Sequence, residues 1–288
     1  SGEEAIATGI SALLTSEDKV FGNHRSHGHF LAKGGSVAGL IGEVYCRVIG
    51  CSRGRGGSMH LIAPEVGFLG AAPIVAGTIS LALGAALAHK IQGRDAVAVT
   101  YFGDGAAGEG VLYEAMNFAS IQNLPLIFVC ENNFYATHMP IRETRKKDTI
   151  YKSALPFGIE AVREDGNDVL KVYEAARRAV EMCRSGKGPY FLEFTTYRLR
   201  GHVGPDDNIQ GNHTDIRPPD EVAEWRKKDP IPKFRKYLLE TDIVEQKDID
   251  AIDLDVEKEV AAAHQLVRES DVPRVEELNS YVFKKTVA

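Results

Sequence analysis

Short apolar runs alternate with segments of helical period along most of this chain. Ala96-Val97-Ala98-Val99-Thr100-Tyr101-Phe102 and Leu126-Ile127-Phe128-Val129-Cys130 are nearly unbroken and rich in β-formers, as expected of strands buried on both faces of a parallel sheet. Between them, from Glu109 to Ile121, Val111, Leu112, Ala115, Phe118 and Ala119 recur at helical spacing. Upstream, the pattern predicts a helix over Glu3 to Leu14, a short strand at Val20-Phe21-Gly22 and a helix from Val37 to Ile49. A small-residue helix is predicted from Pro73 through Ala88. Downstream, it predicts a strand over Gly158 to Val162, a helix over Asp168 to Cys183 and a strand over Tyr190 to Tyr197. Pro205 to Pro219 is polar and without period, and from Glu221 the chain reads as helical and charged, with Ile252, Val256, Val260 and Ala263 on one stripe. Strands alternating with helices indicate an α/β fold, a mostly parallel sheet with helices on both faces. With no internal repeat, the expectation is a single domain over residues 1–288 in which 221–288 form a helical tail.

Candidate chemistry sits at two strand ends. Gly103-Asp104-Gly105 follows the first run and Asn132-Asn133 follows the second, so Asp104 and Asn133 lie at the sheet edge where open α/β folds bind ligands. A carboxylate and a carboxamide oxygen are hard ligands suited to Mg²⁺, which is usually completed by waters and ligand phosphates. Gly105 and Ala106 are expected to open the next helix, with their N–H groups toward an anion at its positive end. Metal on one side and amides on the other make a diphosphate clamp. A tight turn with a capping aspartate beside an unrelated Asn pair is the alternative, and the second motif at the matching strand end favours the clamp.

The segments Gly103-Asp104-Gly105-Ala106-Ala107-Gly108-Glu109-Gly110 and Cys130-Glu131-Asn132-Asn133-Phe134-Tyr135-Ala136 resemble the thiamine-diphosphate motif. The match is closest to the alpha subunits of the decarboxylase components of 2-oxo acid dehydrogenases (pyruvate, branched-chain and acetoin types), and it runs from about Gly2 to about Pro232. The resemblance implies thiamine diphosphate and Mg²⁺ as cofactors. The metal would be held by the Asp104 carboxylate, the Asn133 side chain and the Tyr135 carbonyl, and the diphosphate by Gly105 and Ala106. His24-Arg25-Ser26-His27-Gly28-His29 could be a polar turn or a transition-metal cluster, although no carboxylate or Cys joins it at ligand spacing. A guanidinium fork suits phosphate. The segment is similar to the family's Tyr/His-Arg-x-His-Gly, which implies that Arg25 and His24 hold the diphosphate and that His27 borders the reacting pocket. By the same resemblance, the Pro73 carbonyl and the Val75 N–H face the aminopyrimidine; proline loses only its N–H. His202 corresponds to a histidine that touches the diphosphate and assists acyl transfer to a lipoyl arm. The family's phosphorylated serine is Val203 here, so that regulation is expected to be absent, and Gly204 to Arg217 departs from pyruvate dehydrogenases, leaving the substrate open.

Three segments carry weaker signals. Arg53-Gly54-Arg55-Gly56-Gly57-Ser58-Met59-His60 lacks the Lys-Ser/Thr of a P-loop, and its glycines support close backbone packing at least as well as cofactor contact. His138 is open between pocket and surface. The charged run Arg142 to Asp148 reads as a solvated loop.

Bulk properties narrow the function. A chain of 288 residues can bury one large core. At a net charge of −6 with no basic stripe, nucleic acid is not an expected partner. The uncharged stretch from Ile74 to Ala88 is too short and too rich in small residues to span a membrane. Four cysteines without CxxC spacing read as reduced thiols of a cytoplasmic protein. No signal or transit segment is visible, and the chain opens at Ser1 inside a helical pattern, as expected of a sequence that continues upstream. Thiamine diphosphate carries the carbanion chemistry and the protein supplies position and electrostatics. The chain offers one diphosphate half-site, and the resemblance places the activating glutamate on a beta subunit. The expected molecule is half of a heterotetramer of two alpha and two beta subunits, which decarboxylates a 2-oxo acid or cleaves acetoin and passes the acyl group to a lipoyl-bearing acyltransferase. A thiamine-dependent C–C ligase subunit and a non-catalytic cofactor-holding subunit are the alternatives. A dinucleotide-binding dehydrogenase is a poorer reading, on the expectation that no G-x-G-x-x-G fingerprint follows a strand.

Overall fold

The computed structural model describes residues 1–202, 217–277 and 279–280. Six strands form one sheet: β1 (Lys19–Gly22), β2 (Phe68–Ala71), β3 (Ala98–Gly103), β4 (Leu126–Asn132), β7 (Glu160–Asp165) and β8 (Tyr190–Thr195). Every pairing is parallel, in the order β2-β1-β3-β4-β8-β7. A two-stranded hairpin, β5 (Tyr135–Ala136) with β6 (Met139–Pro140), stands outside it. The helices of this part are α1 (Glu4–Ser11), α2 (His27–Ala32), α3 (Val37–Val44), α4 (Gly77–Ile91), α5 (Gly110–Ile121), α6 (Ile141–Thr144) and α7 (Val169–Met182).

Period-two alternation sorts the central strands into two cores. Val97, Val99 and Tyr101 pack into one cluster with Ile6 and Ile10 of α1, Phe30 of α2, Leu40 of α3, and Val172 and Ala176 of α7. Ala98 and Phe102 enter the other, with Ile79, Ala82 and Ala86 of α4 and Leu112 and Met116 of α5. Helices therefore cover both faces, which is why these strands read as unbroken apolar runs. The alanines of α4 lie on β1 and β3 with Phe21 and Phe102 between the layers. Asp168 caps α7, accepting from the Leu170 and Lys171 N–H groups.

The tail comprises α8 (Pro219–Arg226), α9 (Pro230–Glu240) and α10 (Gln246–Glu269). Trp225 of α8 stacks on Tyr197 at 5.2 Å and Tyr135 Oη donates to Glu221 at 2.9 Å, so the first tail helix is fastened to the segments after β8 and β4. The last turns of α10 lie against α3, where Tyr45 meets His264 edge-on.

The helix–strand assignment holds, with several corrections. Of the predicted stripe on α10, Ala263 is buried but Ile252, Val256 and Val260 are exposed, at 61, 53 and 38%; Ile249 and Val267 are buried as well, because burial follows the packed turns of the helix. α3 ends at Val44, since Cys46 takes a left-handed φ of 56°. α4 starts at Gly77 and not Pro73, after Ala76 at a left-handed φ of 63°. β2 has no counterpart in the sequence reading: four residues with a glycine inside give too short a signal. Nor does α2, where the histidines resemble a polar turn and only the burial of Phe30 reveals the helix. No described helix is long and apolar enough to cross a membrane.

Candidate functional site

The chain leaves β1 toward β2 and leaves β3 in the opposite direction toward β4. This reversal is a topological switch point, where the crevice of an open α/β sheet binds ligands. A cleft of about 240 Å³ opens there. Segments following β1, β2, β3, β4 and β8 all reach it, which gathers His24, Arg25, Val75, Asp104, Gly105, Ala106, Asn133, Tyr135 and His202 from five places in the sequence. Pro73 is not part of the lining, although its neighbours Ala72 and Ile74 are. The pyrimidine contact inferred for the Pro73 carbonyl thus has no support in the cleft's geometry.

Asp104 is the most informative group in the cleft. It is buried, and its Oδ2 has no hydrogen-bond partner. Burial pushes its carboxyl up to about 6; backbone N–H groups and Arg198 oppose the shift, and the charge of Glu3 adds to it. A stranded anionic oxygen is costly to leave unpaired, and a hard cation satisfies it. Asn133 stands beside it. Its Nδ2 donates to Glu3 Oε1 at 3.0 Å and its Oδ1 accepts from the Tyr135 N–H at 3.2 Å, leaving a second lone pair on that oxygen. The donor set therefore fits Mg²⁺.

Arg25 and Arg198 also line the cleft. Arg25 Nη2 lies 3.2 Å from His202 Nδ1, and Arg25 Nε is 3.9 Å from Glu3 Oε2. The rings of His24 and His138 approach His202 to 5.6 and 5.9 Å. Desolvation, then Arg25, Arg198 and the two histidines, hold the His202 imidazole down to about 4, so it is neutral at physiological pH. His24 is also lowered, chiefly by desolvation, and its Nε2 is buried without a partner. Arg198, buried, donates to the Thr137 carbonyl at 2.7 Å.

His27 is placed elsewhere. It is exposed on α2 with its Nε2 2.8 Å from Ser58 Oγ. It lines a second cleft of about 820 Å³ that shares Arg25, Glu3 and His202 with the first. Desolvation lowers its pKa too. His27 thus borders the neighbouring space and not the Asp104 cleft.

Backbone geometry at the cleft is specialised. A Cβ on Gly105 would come within 2.9 Å of the Ala136 Cβ, so glycine lets the turn after β3 close on the segment after β4. Gly105 and Ala106 open a short 3₁₀ turn (Ala106–Gly108), while α5 begins only at Gly110. The expected position at a helix N-terminus is thereby corrected. Gly103 to Gly108 does carry the G-x-G-x-x-G spacing, contrary to the sequence reading. Its third glycine ends that 3₁₀ turn and does not open a helix as a dinucleotide fingerprint would. Ala76, Phe134 and Thr137 have left-handed φ of 63, 67 and 60°. Such strain in non-glycine residues collects at ligand sites.

Several groups are invisible to motif reading. Glu131, buried at the end of β4, accepts from Asn23 Nδ2 at 3.2 Å and lies 2.7 Å from His29 Nε2. A carboxylate at the end of an apolar strand was the available signal. Glu3 and Arg198 had none, since each is brought in from a segment whose local pattern is ordinary. The Gly50 to Ser58 loop resolves to packing: the buried Glu43 carboxylate accepts from the N–H groups of Ser52, Gly54, Gly56 and Gly57. No group of three or more His, Cys, Asp or Glu converges as a metal site among the described residues, which removes the histidine-cluster alternative there. Val203 and most of the Gly204 to Arg217 departure lie outside the described residues.

Residues 1–276 match the family model of the dehydrogenase E1 component. The alpha subunit of acetoin:2,6-dichlorophenolindophenol oxidoreductase of Bacillus subtilis (strain 168) is 38% identical over 285 residues, 98% of this chain and 83% of its own. The pyruvate dehydrogenase E1 component subunit alpha of Rhizobium meliloti (strain 1021) is 38% identical over 278 residues, covering 96% and 78%. The chloroplastic pyruvate dehydrogenase E1 component subunit alpha-3 of Arabidopsis thaliana is 36% identical over 289 residues, 98% of this chain and 66% of the relative's length. With its switch-point cleft, its stranded aspartate and this family match over nearly its whole length, the chain belongs to the dehydrogenase E1 component family, in the alpha-subunit type that these relatives represent.

Proposed function

We propose that the chain is the alpha subunit of a thiamine-diphosphate-dependent enzyme of the cytoplasm. In this reading the enzyme decarboxylates a 2-oxo acid or cleaves acetoin and delivers the acyl group to a lipoyl-bearing partner. The observation that carries the reading is the juxtaposition of opposite charges in the cleft. A buried Asp104 oxygen without a partner and the guanidinium groups of Arg25 and Arg198 line it together. That juxtaposition suits a divalent cation beside a diphosphate. Asp104 and the free lone pair of Asn133 Oδ1 would hold Mg²⁺, with Arg25 on the diphosphate as a permanently charged fork. When bound, the cofactor supplies the carbanion chemistry. His202, neutral and with Nδ1 accepting from Arg25, can present its Nε2–H as a hydrogen-bond donor beside the cleft. Pyruvate-type and acetoin-type relatives share the same 38% identity with this chain, so either acyl source is compatible. Free Cys46, Cys51, Cys130 and Cys183 suit a reducing compartment.

Isothermal calorimetry on the chain assembled with its partner tests the reading. Saturable thiamine diphosphate binding that requires Mg²⁺ is expected, and binding of equal strength in EDTA would refute it. Acidification sharpens the test. Asp104 carries a raised pKa of about 6 against an ordinary value of 3.8. Its contribution to folding is therefore fully favourable below about pH 4 and is lost as pH rises through 6. A cation needs the ionised form. Cofactor affinity should fall by roughly fourfold at pH 5.5 for this group alone, and an affinity that rises on acidification would remove Asp104 from the metal site.

Among the described residues a single six-stranded sheet borders the cleft, and the chain shows where a partner can sit. Ile74, Leu81 and Ile91 on and before α4 are 73, 58 and 76% exposed, beside Phe118 and Ile121 of the adjoining α5. Apolar exposure along two packed helices is the kind of surface that marks an association site. A beta subunit on this half of the molecule is our reading. Purified alone, the chain should show no 2-oxo acid decarboxylation, and activity should appear on adding the partner. Turnover by the chain alone, shown free of other proteins by mass spectrometry, would mean that it holds its own activating carboxylate.

A further inference from the structure

A recess of about 580 Å³ lies apart from the cofactor cleft, between α5 and the segment after α6. Four cations line it: Arg145, Lys146, Lys147 and Lys152. The other lining residues all carry hydroxyls, Tyr113 and Ser153 among them, and among the described residues no carboxylate lines it. The nearby Asp148 carboxylate is engaged by Arg163 at 3.2 Å. Lys146, Lys147 and Lys152 form no ion pair among the described residues. On a chain of net charge −6, gathering four positive charges around one recess is an unfavourable arrangement unless an anion relieves it.

We propose that this recess binds a small phosphate-bearing anion, at a site separate from the cofactor's. A phosphate group accepts several hydrogen bonds at once, from ammonium and hydroxyl donors alike. The three lysines and the Thr149 and Ser153 hydroxyls line the recess for this, whereas Tyr113 and Thr144 spend their protons on the Ala107 and Ile141 carbonyls. The position is informative too. Arg145 Nη1 donates to the Ala107 carbonyl at 2.9 Å, and its Nη2 donates to Tyr113 Oη at 3.2 Å. Tyr113 Oη itself donates to the Ala107 carbonyl at 3.0 Å. An anion in the recess therefore meets the same guanidinium that braces the turn carrying Gly105 and Ala106.

The test uses the assembled enzyme saturated with Mg²⁺ and thiamine diphosphate, so that the cofactor cleft is filled. Inorganic phosphate, fructose 1,6-bisphosphate and ADP are titrated separately by calorimetry at fixed free Mg²⁺. Saturable binding of at least one is expected, one per chain, weakening as salt rises. The probe that binds most tightly distinguishes a sugar phosphate from a nucleotide. In the exposed double variant K147Q/K152Q the anion Kd should rise at least about tenfold, as expected for lost charge-assisted contacts, with cofactor affinity unchanged. No saturable binding by any probe, or an unchanged Kd in the double variant, would overturn the proposal.

Discussion

His202→Ala is expected to lower turnover of the assembled enzyme by roughly 10²–10³, the usual cost of removing one preorganised polar group beside developing charge, while folding changes little. The side chain is half-buried and its polar contact is to Arg25 at 3.2 Å. Losing one such bond costs about 0.5–1.5 kcal/mol, which in a chain of this size lowers the melting temperature by at most a few degrees. A second measurement separates a role in the site from a role in the fold. The imidazole is held down to about 4 by desolvation and by the surrounding cations. A bound diphosphate brings negative charge to those same cations, so the His202 pKa, followed by NMR, should rise when cofactor is added. A variant that unfolds early yet keeps full specific activity would make His202 a structural histidine.

Asp104→Ala should weaken Mg²⁺-dependent thiamine diphosphate binding by roughly 10–100-fold, the scale of a lost charged partner at a buried site. Asn133→Ala, which removes a neutral group, should cost less. Stability supplies a control of opposite sign. The ionised Asp104 is buried with one oxygen unpartnered, and its pKa of about 6 means that at neutral pH it opposes folding, by about 1–3 kcal/mol. Cofactor-free Asp104→Asn protein should therefore melt at the same temperature as the parent or higher at pH 7, while losing the rise in melting temperature that Mg²⁺ and cofactor give the parent. A destabilised variant with normal cofactor binding would identify Asp104 as a folding residue. Strain kept for a ligand is the general pattern at such sites.

The alternation of apolar runs and helical segments was sufficient by itself to establish a parallel α/β sheet covered on both faces. Strands β3 and β4 are buried along nearly their whole length, and burial of that kind leaves a local, one-dimensional imprint. The same locality placed Asp104 and Asn133 at strand ends, because a motif and the strand preceding it are contiguous in the chain. It also yielded α5 and α7, whose apolar residues repeat regularly. What the sequence could not give is whatever arises from segments far apart. The order β2-β1-β3-β4-β8-β7 creates the switch point that joins Arg25 to Asp104, and no local pattern specifies which strands become neighbours. Glu3 reaches Asn133 across 130 positions, and Arg25 reaches His202 across 177. The unpartnered oxygen of Asp104, the neutral state of His202 and the exposure of Ile252 on an otherwise correct helix are all products of packing. Desolvation and charge proximity depend on distance in space, and only the tertiary structure sets those distances.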